Sequence, residues 1–176
     1  MKRIVCKIVL SLVVTTAVSV SAFAWPDGQR EGLLLGLTGG IANASFESDS
    51  GSESGLGFMA GTIIGGGINE QFLLDFKFRY WNSDIDSVTY HTWSWCGDAM
   101  WFPVKDNGFF LNGGIGRALV LPDLENADSK GGMFFYAGIG FEITKWVFLS
   151  VDYAIGSFED DIDSGTLTFA VSAIGY

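Results

Sequence analysis

The sequence predicts an all-β fold: an eight-stranded antiparallel up-and-down transmembrane β-barrel. Three observations carry this. Apolar and polar residues alternate with a period of two along most of the chain, the signature of strands with two unlike faces. The alternating segments are long, where soluble strands usually run ~5–6 residues. The composition is 48% apolar, 15% aromatic and only 17% charged over 176 residues, against roughly 25% charged in soluble domains. Yet after residue 24 no apolar run approaches the ~18 residues of a membrane helix.

Length allows one domain. Glycine is 24 of 176 and proline only 3, which excludes collagen and Pro/Gly-rich disorder. The first 24 residues read as a secretory signal peptide: a basic start (Lys2, Arg3, Lys7), an apolar stretch from Ile8 to Val20, and Ala22-Phe23-Ala24 before Trp25. Cys6 lies too early for a lipoprotein attachment site. Residues 25–176 are then the barrel domain, and cleavage moves the net charge from −10 to −13. Nucleic acid is excluded as a partner, because its phosphates need Lys and Arg. Cys96 is the one cysteine left after cleavage, so no intrachain disulfide forms.

The segments fall at about 32–46, 55–68, 71–82, 87–102, 109–121, 131–143, 146–157 and 165–176. Each is long enough for the ~9–11 residues that a tilted strand needs to cross the hydrocarbon. In the first, Leu33, Leu35, Leu37 and Ile41 face outward; Leu34, Gly36, Thr38, Gly40, Ala42 and Ala44 face inward. The second ends in Gly65-Gly66-Gly67, read as curvature. The third has the clearest alternation: Phe72, Leu74, Phe76, Phe78 and Tyr80 on one face; Leu73, Asp75, Lys77, Arg79 and Trp81 on the other. In the fourth, Thr92, Ser94, Cys96 and Asp98 face inward and Trp93, Trp95 and Trp101 outward. The fifth carries Gly113-Gly114-Ile115-Gly116. The sixth turns Met133, Phe135, Ala137, Ile139, Phe141 and Ile143 outward, with Phe134, Tyr136, Gly138, Gly140 and Glu142 inward. The seventh turns Val147, Leu149, Val151, Tyr153 and Ile155 outward, with Ser150 and Asp152 inward.

The connections alternate long and short: 45–54, 68–71, 82–86, 103–108, 121–130, 144–145 and 156–165. That is the pattern of a bacterial barrel with short periplasmic turns and longer outer loops. Lipid supplies no hydrogen bonds, so such a sheet must join its own edges. Eight strands enclose a space that side chains just fill.

Two groups of residues stand out. Asp75, Lys77, Arg79, Asp98, Glu142 and Asp152 are polar on the inward face. Charges in so narrow an interior persist only when paired or hydrated, so they predict an ion-pair network filling the lumen rather than a pore or catalytic cluster. Trp81, Trp101, Phe102 and Trp146 lie at segment ends and predict an aromatic girdle.

The signal segment, the eight strands, glycine patterns such as Gly113-Gly114-Ile115-Gly116 and Gly138-Ile139-Gly140, and the terminal Tyr176 together resemble small outer-membrane β-barrel proteins of the outer-membrane protein A-like or porin-like superfamily. The resemblance covers the whole mature chain. It implies residence in the Gram-negative outer membrane, contact with outer-membrane lipid and lipopolysaccharide, a monomeric barrel, and assembly by the barrel-assembly machinery. The terminal segment resembles the signal read by that machinery, with Tyr176 and Ile174 at the expected alternate positions. Ser172 and Thr168 break the pattern, while Leu167, Phe169 and Val171 have the other parity, which predicts either a bulge or a weak match to the signal. A structural, surface-interaction or porin-like role follows.

Two other readings compete. A soluble periplasmic lipocalin-like carrier would put its aromatics inside and its charges outside. A lipid A-modifying outer-membrane enzyme would need a serine with a histidine. The single histidine, His91, and Ser94 fall on opposite faces of one strand and cannot form a nucleophile–base pair. No enzyme activity, cofactor or metal is therefore expected. The outer connections gather Glu47, Asp49, Glu53, Asp84, Asp86, Asp123, Glu125, Asp128, Glu159, Asp160, Asp161 and Asp163, which is 12 of the 20 acids. A solvated acidic surface is the reading; weak calcium or magnesium binding is its sharper form.

Overall fold

The computed structural model describes residues 30–48, 51–85, 88–104, 107–123, 129–159 and 162–175. The signal segment 1–24, Tyr176 and the acids Asp49, Asp86, Glu125, Asp128, Asp160 and Asp161 lie outside the described residues. The chain forms β1 (Gly32–Ser48), β2 (Gly51–Asn69), β3 (Phe72–Ile85), β4 (Val88–Trp101), β5 (Phe109–Pro122), β6 (Lys130–Thr144), β7 (Val147–Phe158) and β8 (Ile162–Gly175). Each strand pairs antiparallel with the next, and β1 pairs with β8 from Leu35↔Gly175 to Glu47↔Asp163, closing the barrel. No helix among the described residues is long and apolar enough to cross a membrane.

The strands run from 12 to 19 residues, longer than the bilayer requires. The excess lies on the outer side. Phe46, Glu47 and Ser48 pair with Glu53, Ser52 and Gly51, where the sequence predicts a long polar loop over 45–54. Likewise β3 and β4 stay paired to Ile85↔Val88. The expected alternation of long and short connections is thus corrected: the periplasmic connection 102–108 is as long as the outer 123–129. Polarity marks where a strand leaves lipid, not where it stops pairing, because polar residues hydrogen-bond through the same backbone.

Side chains alternate as predicted in every segment assigned above. Phe76 is 50% exposed while its neighbour Lys77 is 3% exposed. The outward face carries exposed large apolar or aromatic side chains from all eight strands, Leu33, Phe58, Leu74, Trp95, Ile115, Phe135, Leu149 and Phe169 among them. A water-soluble carrier barrel has the opposite polarity, so that alternative is corrected here. Register shifts occur at Gly67/Asn69 in β2 and at Glu142/Thr144 in β6. Of the two alternatives for β8, the bulge is absent: its pairing with β1 and β7 runs without a shift.

Inward glycines make room for neighbours. A Cβ at Gly140 would overlap the Phe110 ring, and one at Gly138 would overlap Asp152 and crowd Asn112 Oδ1. Closure of eight strands leaves little radius, and these two positions yield it to larger side chains opposite.

The outward face sets a test. Val151→Arg, in the middle of β7, should cost about 2–4 kcal/mol of folding free energy in lipid vesicles, and Ser157→Arg, near the outer edge, about 0–1. Urea titration of the refolded variants measures both; equal costs at the two positions would contradict the membrane depth assigned to them.

Candidate functional site

The inward faces bring together three layers. At the periplasmic end Leu34, Ile63, Leu73, Met100, Phe102, Phe110, Phe148 and Ile174 form one buried apolar cluster. Ring contacts run through it, Phe102 to Phe110 at 5.4 Å and Phe110 to Phe148 at 5.9 Å between centroids. Toward the outer end Cys96, Ala118, Val120, Phe134, Tyr136 and Phe158 form a second cluster, with Phe46, Tyr90, Ala154 and Ile162 packed on it.

Polar residues occupy the middle. Lys77 Nζ pairs with Asp98 Oδ2, both side chains almost completely buried. Arg79 Nη2 lies 3.6 Å from Asp152 Oδ2. Asp152 also accepts hydrogen bonds from Asn112 Nδ2 at 2.6 Å and Ser150 Oγ at 3.3 Å. Lys77 and Arg79 both sit over the Tyr136 ring, at 5.5 and 5.0 Å from its centroid, a cation–π arrangement. Asp75 stands directly across from Asp98 in the β3–β4 register. The Cys96 thiol lies 3.9 Å from the Lys77 carbonyl, an acceptor for its weak S–H. Nearby, Ser172 Oγ donates to Thr38 Oγ1 at 2.9 Å.

Five of the six predicted polar residues therefore converge: Asp75, Lys77, Arg79, Asp98 and Asp152. Glu142 does not join them. It sits at the periplasmic mouth, beyond the apolar cluster, where Arg30 Nη2 pairs with its Oε2 at 2.6 Å and Arg30 Nε donates at 2.8 Å. The Arg30 guanidinium lies 3.8 Å from the centroid of the Phe102 ring and donates to the Glu70 carbonyl at 3.1 Å. Parity places Glu142 inward correctly but says nothing of depth, and Arg30, before the first strand, carries no periodic signal. Asn112 was also missed, since one amide in a glycine-rich strand looks unremarkable.

The girdle needs correction. Trp81 faces inward and packs against Ala42, Met59 and Ala170. Phe102 is fully buried in the periplasmic apolar cluster. A position at a strand end does not choose the face; parity does, and both residues have inward parity. Trp101 and Trp146 are exposed, and Trp101 stacks on Phe72 at 6.2 Å. A larger outward aromatic group lies toward the outer rim: Trp93 contacts Tyr80 at 4.7 Å and Phe78 at 5.6 Å. Ile174, expected in the terminal assembly motif, is buried inside the barrel, while Phe169 and Val171 are exposed.

His91 stacks on Tyr80, with its Nδ1 2.6 Å from the phenolic oxygen. Ser94 is buried on the inner face, so the pair is separated by the sheet itself. Among the described residues no group of three or more His, Cys, Asp and Glu is placed to hold a metal ion.

Within the polar layer three carboxylates face two cations. Removing a cation leaves a buried charge unpaired, whereas neutralising the carboxylate opposite Asp98 relieves repulsion. Lys77→Met should therefore destabilise the barrel by about 3–5 kcal/mol. Asp75→Asn should be neutral or stabilising. Urea unfolding in detergent micelles measures both, and equal destabilisation by the two changes would refute this account of the layer.

The outer membrane protein beta-barrel domain model matches residues 10–174. Neisserial surface protein A is similar in structure, with a TM-score of 0.59 at 20% identity, covering 81% of this chain and 99% of that one. Ail, the attachment invasion locus protein of Yersinia pestis, gives a TM-score of 0.58 at 13% identity, covering 80% of this chain and 97% of that one. These likenesses extend to the fold. No curated protein sequence matches the chain. With its closed eight-stranded architecture and apolar exterior, the chain belongs to the outer membrane protein β-barrel family.

Proposed function

We propose that this outer-membrane barrel is exported by cleavage of residues 1–24 and acts as a non-enzymatic surface-interaction protein with a filled, non-conducting lumen. The observation that carries the reading is the interior. The cavity bounded by Thr38, Lys77, Arg79, Phe110, Asn112 and Phe148 has a volume of only about 10 Å³, room for one water at most. Above and below it lie the two apolar clusters. An interior of this kind suits a rigid stave that holds outer strand ends and loops in place.

The inner-face serine and outer-face histidine support the non-enzymatic reading. Monomeric insertion in lipid and lipopolysaccharide, after delivery by the barrel-assembly machinery, fits an exterior that is apolar on every strand. Ail has been crystallised with the heparin analogue sucrose octasulfate. The exposed acids at the outer strand ends, Glu47, Asp84, Asp123, Glu159 and Asp163, repel such a polyanion, so the partner chemistry favoured here is cationic.

Planar-bilayer recording tests the reading. The refolded protein should give no stable channels, and neither should Asp75→Asn. The double change Phe110→Ala with Phe148→Ala should admit water and small ions. Porin-like conductance from the unaltered protein would overturn the filled lumen.

A further inference from the structure

The charges of the polar layer do not balance. Asp75, Asp98 and Asp152 are each more than nine-tenths buried, and the cations among them are Lys77 and Arg79. Arg30 and Glu142 pair with each other at the periplasmic mouth and leave the count unchanged. With every group in its ordinary ionised form, the layer holds one negative charge in excess. A buried charge without a partner is strongly unfavourable, so the layer takes up one positive charge from outside.

The donors around each carboxylate show where that charge goes. Asp152 accepts from Asn112 Nδ2 and Ser150 Oγ and lies beside Arg79. Asp98 Oδ2 pairs with Lys77 Nζ. Asp75 is different: neither of its oxygens meets a hydrogen-bond donor, and Asp98 Oδ1 meets none either. The register explains this. On β2 the residue opposite Asp75 is Gly65, which has no side chain, and on β4 it is Asp98 itself. On β5 the residue opposite Asp98 is Gly114, and the Tyr136 ring from β6 fills the space where a Gly114 Cβ would stand. The Cys96 thiol of β4 is directed at the Lys77 carbonyl. On the inner faces of β1 and β8 near this layer stand the neutral Thr38, Ser172 and Ile174.

The missing charge is a metal ion or a proton. A metal ion needs several oxygen ligands around a space of its own. The cavity at the layer, about 10 Å³, is bordered by Lys77, Arg79 and Asn112, and neither Asp75 nor Asp98 lines it. A proton needs no space. Two opposed carboxylates share one because both cannot stay ionised side by side, and the protonated member becomes a donor. We propose that Asp75 and Asp98 bind one proton between them, with Asp75 as the carboxylic acid donating to Asp98 Oδ1. That hydrogen bond gives both residues the partner they lack. It also makes the layer neutral, Asp98 balancing Lys77 and Asp152 balancing Arg79. Loss of the proton returns the excess charge to the interior, so the pair ties the cohesion of the β3–β4 ladder to the acidity of the surroundings.

Infrared spectroscopy tests this on the refolded full barrel in dodecyl maltoside, a detergent without carbonyl groups. At neutral pH the protein should show the C=O stretch of a protonated carboxyl group, and the band should move when aspartate carries heavy carbon in its side-chain carboxyl. Asp75→Asn should abolish the band. Asp98→Asn should abolish it too, although Asp75 is still present, because Lys77 then needs Asp75 as its carboxylate. Tyr136→Phe should keep it. Heat-modifiable gel migration verifies that each variant is folded. Replacing sodium with choline at constant ionic strength should leave the migration midpoint unchanged. Absence of the band from the unaltered protein, its survival in either aspartate variant, or stability that depends on sodium would overturn the proposal.

Discussion

Backbone hydrogen bonding in lipid is the constraint on which this structure depends. A peptide group in hydrocarbon has no water to turn to, and each unsatisfied one costs several kcal/mol. Eight strands that met only their sequence neighbours would leave the edges of β1 and β8 bare. Their pairing from Leu35↔Gly175 to Glu47↔Asp163 removes both edges at once. Closure then divides the side chains into an outward set, which must tolerate lipid, and an inward set, which must share a narrow interior.

The inward set resolves that crowding by layering. Aromatic rings close the periplasmic end, a second apolar group occupies the outer end, and charges occupy the middle. Burying three carboxylates with two cations is costly in isolation. It becomes tolerable because Lys77 and Asp98 lie close together, Asp152 accepts from Asn112, and Tyr136 presents its ring to both Lys77 and Arg79. Glycines at 138 and 140 are part of the same solution, since larger residues there would collide with Asp152 and Phe110.

The fold was legible in the sequence because a strand's side chains alternate strictly, so Phe76 and Lys77 declare their faces by adjacency alone. What parity cannot supply is depth along the barrel, and the misreadings follow from that. Glu142 shares a face with Asp152 but lies at the periplasmic mouth with Arg30. Trp81 and Phe102 were placed by proximity to a strand end and by their chemistry, against their own parity, and both lie on the inner face. Ile174 was read from a resemblance rather than from its neighbours Ser172 and Ala170, which share its inward face. The long outer loops were inferred from polarity, yet β1 and β2 carry their pairing through Glu47 and Glu53.

The division between inside and outside is the central claim, and the tryptophans report on it directly. Trp95 and Trp101 are exposed on the outer face, and Trp81 packs on Ala42, Met59 and Ala170 within. Variants retaining one of these three tryptophans, with the others replaced by phenylalanine, can be refolded into vesicles of phospholipid brominated along the acyl chain. Fluorescence of the Trp95 and Trp101 variants should be strongly quenched and that of the Trp81 variant spared. Quenching of Trp81 as strong as that of Trp95 would contradict the arrangement described.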